Sequence, residues 1–345
     1  MKRLKLLVAA VALATASVAS AQHSIDRVMF LNRSTGGSAF GYLNELNGGF
    51  VQTYSIPGQS ELVGVTDVIN TRAGILFYNK ATGRAVIEAT AANGYPALGA
   101  YLSFSPNWDK IVAIGNSLFF YSQTGMAAVG HITPDLKFVQ TQSFAPGSFG
   151  KWTHIVPTDE HLFFYNASNG AGAVGFLSPG GWLQTDSIPA GSFALNWSYI
   201  QTTGKHILFY NQQSGLAASS YIDAKGKYSY INSFYLPAGY SKLWRHNEYI
   251  VLHDANKGDT TIGYFDRNMG SPFTVTDTIN LQSGYLGTGF YLAASTGEDV
   301  MLYSAYSDSP GGRAIVAHVD RTGQWVTTHT ISGLSPWSFL VSSTP

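Results

Sequence analysis

Two columns of side chains in this sequence have the types and spacing to hold a neutral polar ligand. The first is aromatic: Trp108, Trp152, Trp197, Trp244 and Trp337, most of which precede a recurring Leu-Phe-Tyr-Asn stretch. The second is amide: Asn79, Asn166 and Asn211, which close that stretch. Three further aromatics, Phe149, Phe193 and Tyr240, stand just ahead of members of the first column. A flat ring can cover the apolar C–H face of a sugar while amide donors and acceptors fix its hydroxyls. The same residues also have a purely structural use, because tryptophan fills wedges between packed sheets and asparagine starts turns.

Other chemistry has little support. There is no His-Glu-x-x-His, no Gly-x-Ser-x-Gly and no phosphate-binding glycine loop. Gly58-Gln-Ser60-Glu-Leu62 lacks the closing glycine of a nucleophile elbow. The nine histidines are scattered, whereas a zinc centre needs three or four convergent ligands, so no metal and no cofactor are expected. Asp254-Ala-Asn256-Lys-Gly258-Asp259 lacks the ligand order and distal glutamate of a calcium loop and reads as a turn. Acid and base groups brought together from separate repeats would escape a motif search. The enzyme question therefore stays open and leans towards no.

Residues 1–21 read as an export leader: Lys2, Arg3 and Lys5, an apolar core from Leu6 to Val18, and Ala19-Ser20-Ala21 before the cut. The chain from residue 22 to 345 is then one exported domain, periplasmic or extracellular, without membrane insertion. Acidic and basic residues number 20 each, and charged residues are only 12% of the chain. So uncharged a surface gives no electrostatic reason to expect nucleic acid as a partner. With no cysteine in the sequence, the fold must be held by packing, for which 14% aromatic residues supply the material.

The elements that must position these columns are repeats. Anchor residues Leu31, Tyr78, Tyr121, Tyr165, Tyr210, His253 and Tyr303 lie 43 to 50 residues apart, a period that marks an array of supersecondary units. Each unit reads as four strands. An unbroken apolar run such as Leu162-Phe-Phe-Tyr165 comes first, then an Asn-x-x-x-Gly turn and a strand with small residues at Gly41, Gly130, Gly175 and Gly263. A strand opening on an aromatic (Phe50, Phe138, Trp182, Tyr228) follows, and a loop then leads to Trp-x-x-Ile. The small residues are expected to let a neighbouring sheet approach. Seven such units predict an all-β, seven-bladed propeller with Trp-x-x-Ile as the innermost strand of each blade. The phase at the ends predicts closure by pairing of about residues 336–342 with about residues 27–32.

Repeats of L-F-Y-N-x-x-x-G-x-A followed by W-T-x-I resemble those of secreted bacterial propellers. In layout they are similar to the tachylectin-2 and Photorhabdus-type propeller lectins, over Arg27 to Ser343. The resemblance implies a ring whose blades carry sugar pockets. The G-G-W-x-x-F-x-F element of tachylectin-2 is missing, so no sugar-binding residue carries over. The expectation is an exported carbohydrate-binding propeller for neutral glycans. The alternatives are a protein-interaction scaffold in the cell envelope, or a hydrolase or lactonase with its site at the channel mouth.

Overall fold

The computed structural model describes residues 27–44, 49–90, 96–266, 270–280, 286–305 and 311–342; the leader expectation lies outside them. The described residues form seven four-stranded antiparallel sheets arranged as the blades of a ring. Blade 1 takes its inner strand, Phe339–Ser342, from the end of the chain, beside Arg27–Asn32. Inner strands of blades 2 to 7 are Asp67–Thr71, Lys110–Ile114, His154–Pro157, Tyr199–Thr203, Lys242–His246 and Leu292–Ser295. The predicted closure holds, with Val28 opposite Ser342 and Leu31 opposite Phe339.

Second strands are the apolar runs, and in blades 3 and 5 every residue from Ser117 to Tyr121 and from His206 to Tyr210 is buried. A lone four-stranded sheet could not cover both faces of such a strand; two flanking blades do. The core therefore consists of seven inter-blade clusters rather than one centre.

The small-residue column has a different cause from the one expected. Register between third and outer strands shifts at Gly41, Gly130, Gly175 and Gly263. At each bulge the opening aromatic of the outer strand in the same blade folds over the glycine. A Cβ at Gly175 would overlap the Trp182 ring, and one at Gly130 the Phe138 ring. It is an aromatic of the blade itself, not a neighbouring sheet, that needs the space.

The anchor tyrosines are latches. Tyr165 Oη donates to Ala194 O at 2.8 Å and Tyr121 Oη to Gly150 O at 2.9 Å, each on the loop crossing to the next blade. Tyr78, Tyr210 and Tyr303 repeat the bond to Ser105, Pro237 and Ser335. The hydroxyls of Tyr78, Tyr121, Tyr210 and Tyr303 also accept a backbone N–H farther along the loop, as from Trp152 to Tyr121 at 2.8 Å. Burial raises all five hydroxyls, that of Tyr210 to about 12, so they remain donors. Tyr121→Phe leaves Gly150 O and Trp152 N–H without their partner and is expected to cost about 1–3 kcal/mol. The shift of the urea midpoint at constant slope measures it.

His253 stands where five other repeats have tyrosine. It is fully buried, and its Nδ1 lies 2.9 Å from Thr260 Oγ1. Burial holds its pKa down at about 4. The unfolded chain binds this proton near pH 6.5 and the folded chain only near 4, so stability falls as pH drops through that window. The loss is about 3 kcal/mol at 1.4 kcal/mol per unit. His253→Leu, the residue type of the first repeat, is expected to remove that share of acid sensitivity in urea midpoints taken from pH 7 to 4.

Candidate functional site

Inner strands begin two residues after the tryptophans. Lys110, His154 and Tyr199 pair with the anchors Tyr121, Tyr165 and Tyr210. By the same pairing Lys242 meets His253, so the residue equivalent to Trp108, Trp152 and Trp197 in the sixth unit is Tyr240, not Trp244. Trp244 is the third residue of its strand, opposite Val251. Tyr240 takes the latch bond, its N–H donating to Tyr210 Oη at 3.2 Å. The sequence pattern admitted an aromatic at either place, and backbone pairing selects the earlier one.

The aromatic column lies in the clefts between blades. Trp108 packs on Phe120 at 5.6 Å, Trp152 on Phe164 at 5.6 Å and Trp337 on Phe30 at 5.6 Å. Trp244 joins the cluster between blades 6 and 7. Phe149 sits edge-on to Phe144 at 4.7 Å, and the Tyr240 side chain is buried. Trp152, Trp197 and Trp244 keep buried indole N–H groups that meet no acceptor among the described residues.

The amide column is spent on the turns. Asn79 Oδ1 accepts from Ala81 N and Thr82 N, Asn211 Oδ1 from Gln213 N and Ser214 N, and Asn166 Oδ1 from Ser168 N. Asn211 Nδ2 donates to Asn196 O at 3.0 Å, and Asn79 Nδ2 to Val63 O at 3.4 Å, which ties each turn to the loop entering its own blade. Asp254 forms the same turn, accepting from Asn256 N at 2.9 Å. Among the described residues no three His, Asp or Glu side chains gather as a metal site.

Two places bring chemistry-bearing groups together. One is a pocket of about 230 Å³ between blades 4 and 5. Trp197 and Phe193 form part of its wall, with Tyr228, Tyr230, Ser192 and Ser233; none of its lining residues is charged. Phe193 stands edge-on to Tyr228 at 4.9 Å, and Trp197 packs on Phe209 at 5.6 Å. The loop that carries them is fixed by Tyr165 Oη on Ala194 O and by Phe193 N donating to Gly170 O at 3.1 Å. Burial pushes the Tyr228 hydroxyl up to about 12, so it stays protonated. In the corresponding cleft between blades 3 and 4 the larger Trp182 occupies the place of Tyr228, and it packs on Phe119, Phe149 and Phe164. Of the eleven sequence candidates, the pocket unites Trp197 and Phe193. In the sequence Tyr228 reads as the aromatic that opens an outer strand, and Tyr230, Ser192 and Ser233 carry no repeat signal.

The second place is the channel mouth on the crossing-loop face. Here the first residues of successive inner strands are Asp67, Lys110, His154, Tyr199 and Lys242. Several reach the next blade: His154 Nε2 lies 3.4 Å from Ser198 O, Tyr199 Oη donates to Ser241 O at 2.7 Å, and Lys242 lies over Tyr291 at 5.6 Å. Burial lowers the Lys110 ammonium, against the opposing pull of Asp109 and Asp67. Burial also lowers His154, aided by the Lys110 charge, so its imidazole is neutral at pH 7. The first position of the inner strand is the available signal, but no single residue type recurs through it: it holds Asp, Lys, His, Tyr and again Lys.

No protein-family model matches the chain, and no curated protein matches it. Solved structures do share its fold. The periplasmic gluconolactonase of Pseudomonas aeruginosa superposes with a TM-score of 0.62 at 14% identity, covering 93% of this chain and 99% of its own. A Bacteroides fragilis protein bearing a provisional name of 6-phosphogluconolactonase gives 0.61 at 13% identity, over 94% and 99%. A Lactobacillus plantarum protein gives 0.62 at 13%, over 92% and 99%. At these identities the likeness is one of fold.

Proposed function

We propose that the chain is an exported binding protein that takes one ring of a neutral glycan in the pocket between blades 4 and 5. The observation that carries this reading is an uncharged pocket of about 230 Å³ walled by Trp197, Phe193, Tyr228 and Tyr230. The rings would cover the apolar C–H face of a sugar and leave its hydroxyls to polar groups at the pocket wall. Tyr230 and Ser233 at the exposed rim supply further hydroxyl groups. The leader-like residues 1–21 and the periplasmic neighbour support a location outside the cytoplasm. The test is binding of the chain from residue 22 to a diverse glycan array, competed by free monosaccharide. Silence across the array overturns the reading.

The channel mouth favours a second reading, hydrolysis of a sugar-derived lactone, in keeping with the names of two structural neighbours. Thr153 Oγ1 lies 3.0 Å from both Tyr165 O and His154 Nδ1. The Ser198 carbonyl takes Nε2–H, so the neutral ring keeps its lone pair on Nδ1 beside Thr153 Oγ1, and His154 would act as a general base for water once Nδ1 is released from Thr153. Lys110 would then offset negative charge developing on the carbonyl oxygen. Acid release from glucono-δ-lactone, lost in His154→Ala with the fold intact, is the expected result for this reading. A rate no faster than the buffer blank rejects it.

A further inference from the structure

Lys110 opens the inner strand of blade 3 at the channel mouth, where it is half-buried. It pairs with Tyr121, as Asp67 pairs with Tyr78 in blade 2 and His154 with Tyr165 in blade 4. The three inner strands pack side by side, so the lysine stands between Asp67 and His154 at one level of the ring. Among the described residues its ammonium finds no hydrogen-bond or ion-pair partner. We propose that Lys110 captures small aldehydes reversibly as an imine, with His154 of the next blade moving the protons.

The carboxylates closest in sequence and register are engaged elsewhere. Asp109 accepts from Lys80 Nζ at 2.7 Å and from Gln123 N at 2.7 Å, and Asp67 accepts from Thr66 Oγ1 at 2.7 Å. An amine half out of water and without a partner is the form of lysine that attacks carbonyl carbon. Burial lowers its ammonium against the pull of Asp109 and Asp67, so at a given pH more of it is free amine than in a surface lysine. In the step itself the nitrogen lone pair adds to the aldehyde carbon and the C=O pair moves to oxygen. One proton passes from nitrogen to that oxygen, and loss of water then leaves C=N. No electrons enter or leave, and water is the sole by-product, so neither oxidant nor reductant is needed. His154 suits the proton transfers, since its Nε2–H is held by Ser198 O and its Nδ1 lone pair lies 3.0 Å from Thr153 Oγ1. Strands on both sides limit what reaches the amine to small aldehydes. Neither the inter-blade pocket nor lactone opening is required for this capture.

The test is reductive trapping. The chain from residue 22 is incubated at pH 7 with propionaldehyde or with glyceraldehyde, each together with cyanoborohydride, whose hydride turns the imine into a stable secondary amine. Peptide mass spectrometry then follows each lysine. Lys110 is expected to be modified at least tenfold faster than the exposed Lys225 and Lys257, and that excess should vanish in urea. His154→Gln should slow Lys110 at least fivefold and leave Lys225 and Lys257 unchanged, with circular dichroism as in the native chain. Equal rates at the three lysines of the folded chain, an excess that survives in urea, or an unaltered Lys110 rate in a folded His154→Gln would overturn the proposal. The comparison of folded and urea-treated native chain decides it even where the variant does not fold.

Discussion

Ser233→Trp is expected to lower glycan affinity at least a hundredfold without changing the unfolding free energy by more than about 0.5 kcal/mol, as for other exposed substitutions. Ser233 is exposed on the outer strand of blade 5 and lines the inter-blade pocket. An indole at that point fills a space of about 230 Å³ from the rim and leaves the cluster beneath untouched. Trp197→Ala would test the idea poorly, since it removes a buried ring that also packs on Phe209 and costs about 3–5 kcal/mol of stability. Trp197→Phe is the sharper companion: it keeps a ring against Phe209 but shrinks the aromatic wall, and should weaken binding by about 0.5–1.5 kcal/mol. Isothermal titration with the best monosaccharide from the array reads both. Undiminished binding in Ser233→Trp moves any glycan site away from this cleft, with the channel mouth next to be examined.

How much of this was legible in the residues differs by level. The ring was, because Leu162-Phe-Phe-Tyr165 and its copies are apolar on both faces and only flanking blades can bury them. So was its closure, because the chain opens with a second strand and closes with an inner one. The glycines of the third strand were visible as a column, but their cause was not. Only the pairing register shows the bulge at Val174/Gly175 and the Trp182 ring above it.

The candidate site was legible in part. Aromatic and amide columns recur because every repeat needs the same wedge and the same turn, and recurrence marks structure before it marks function. Asn79 and Asn211 illustrate this, with both ends of each amide engaged within their own blade. The pocket arises where a repeat departs from its siblings: Tyr228 in place of Trp182, and Tyr230 exposed on the outer face. The channel mouth is likewise built from departures, since Asp67, Lys110, His154, Tyr199 and Lys242 occupy one position with four residue types. A search for sameness passes over both.

Removing residues 336–345 is expected to abolish cooperative folding altogether. Those residues supply the inner strand of blade 1, and without them Val28, Met29, Phe30 and Leu31, all essentially inaccessible to solvent, would form an open sheet edge. The cut also deletes Trp337, whose N–H donates to Tyr303 Oη at 3.0 Å, and Pro336, whose carbonyl accepts from Asn32 Nδ2 at 2.9 Å. Leu340→Asp is the graded version: it sets an unpaired carboxylate in the cluster between blades 7 and 1 and should cost about 3–5 kcal/mol. A permutant separates pairing from chain order. In it Ser342 is joined to Arg27 through a two-residue turn, the length that links Thr203 to His206 in blade 5, and the chain is opened between Leu334 and Pro336. Blade 1 then has the same hairpin connectivity as its siblings, and the ring is closed by side-chain packing and the Tyr303 latch alone. The permutant should unfold cooperatively, and its midpoint should fall below that of the native order only by the loss of the covalent link between blades 7 and 1. A permutant as unstructured as the truncation would mean that the strand holds the ring through its tether to blade 7 and not through its hydrogen bonds to Arg27–Asn32.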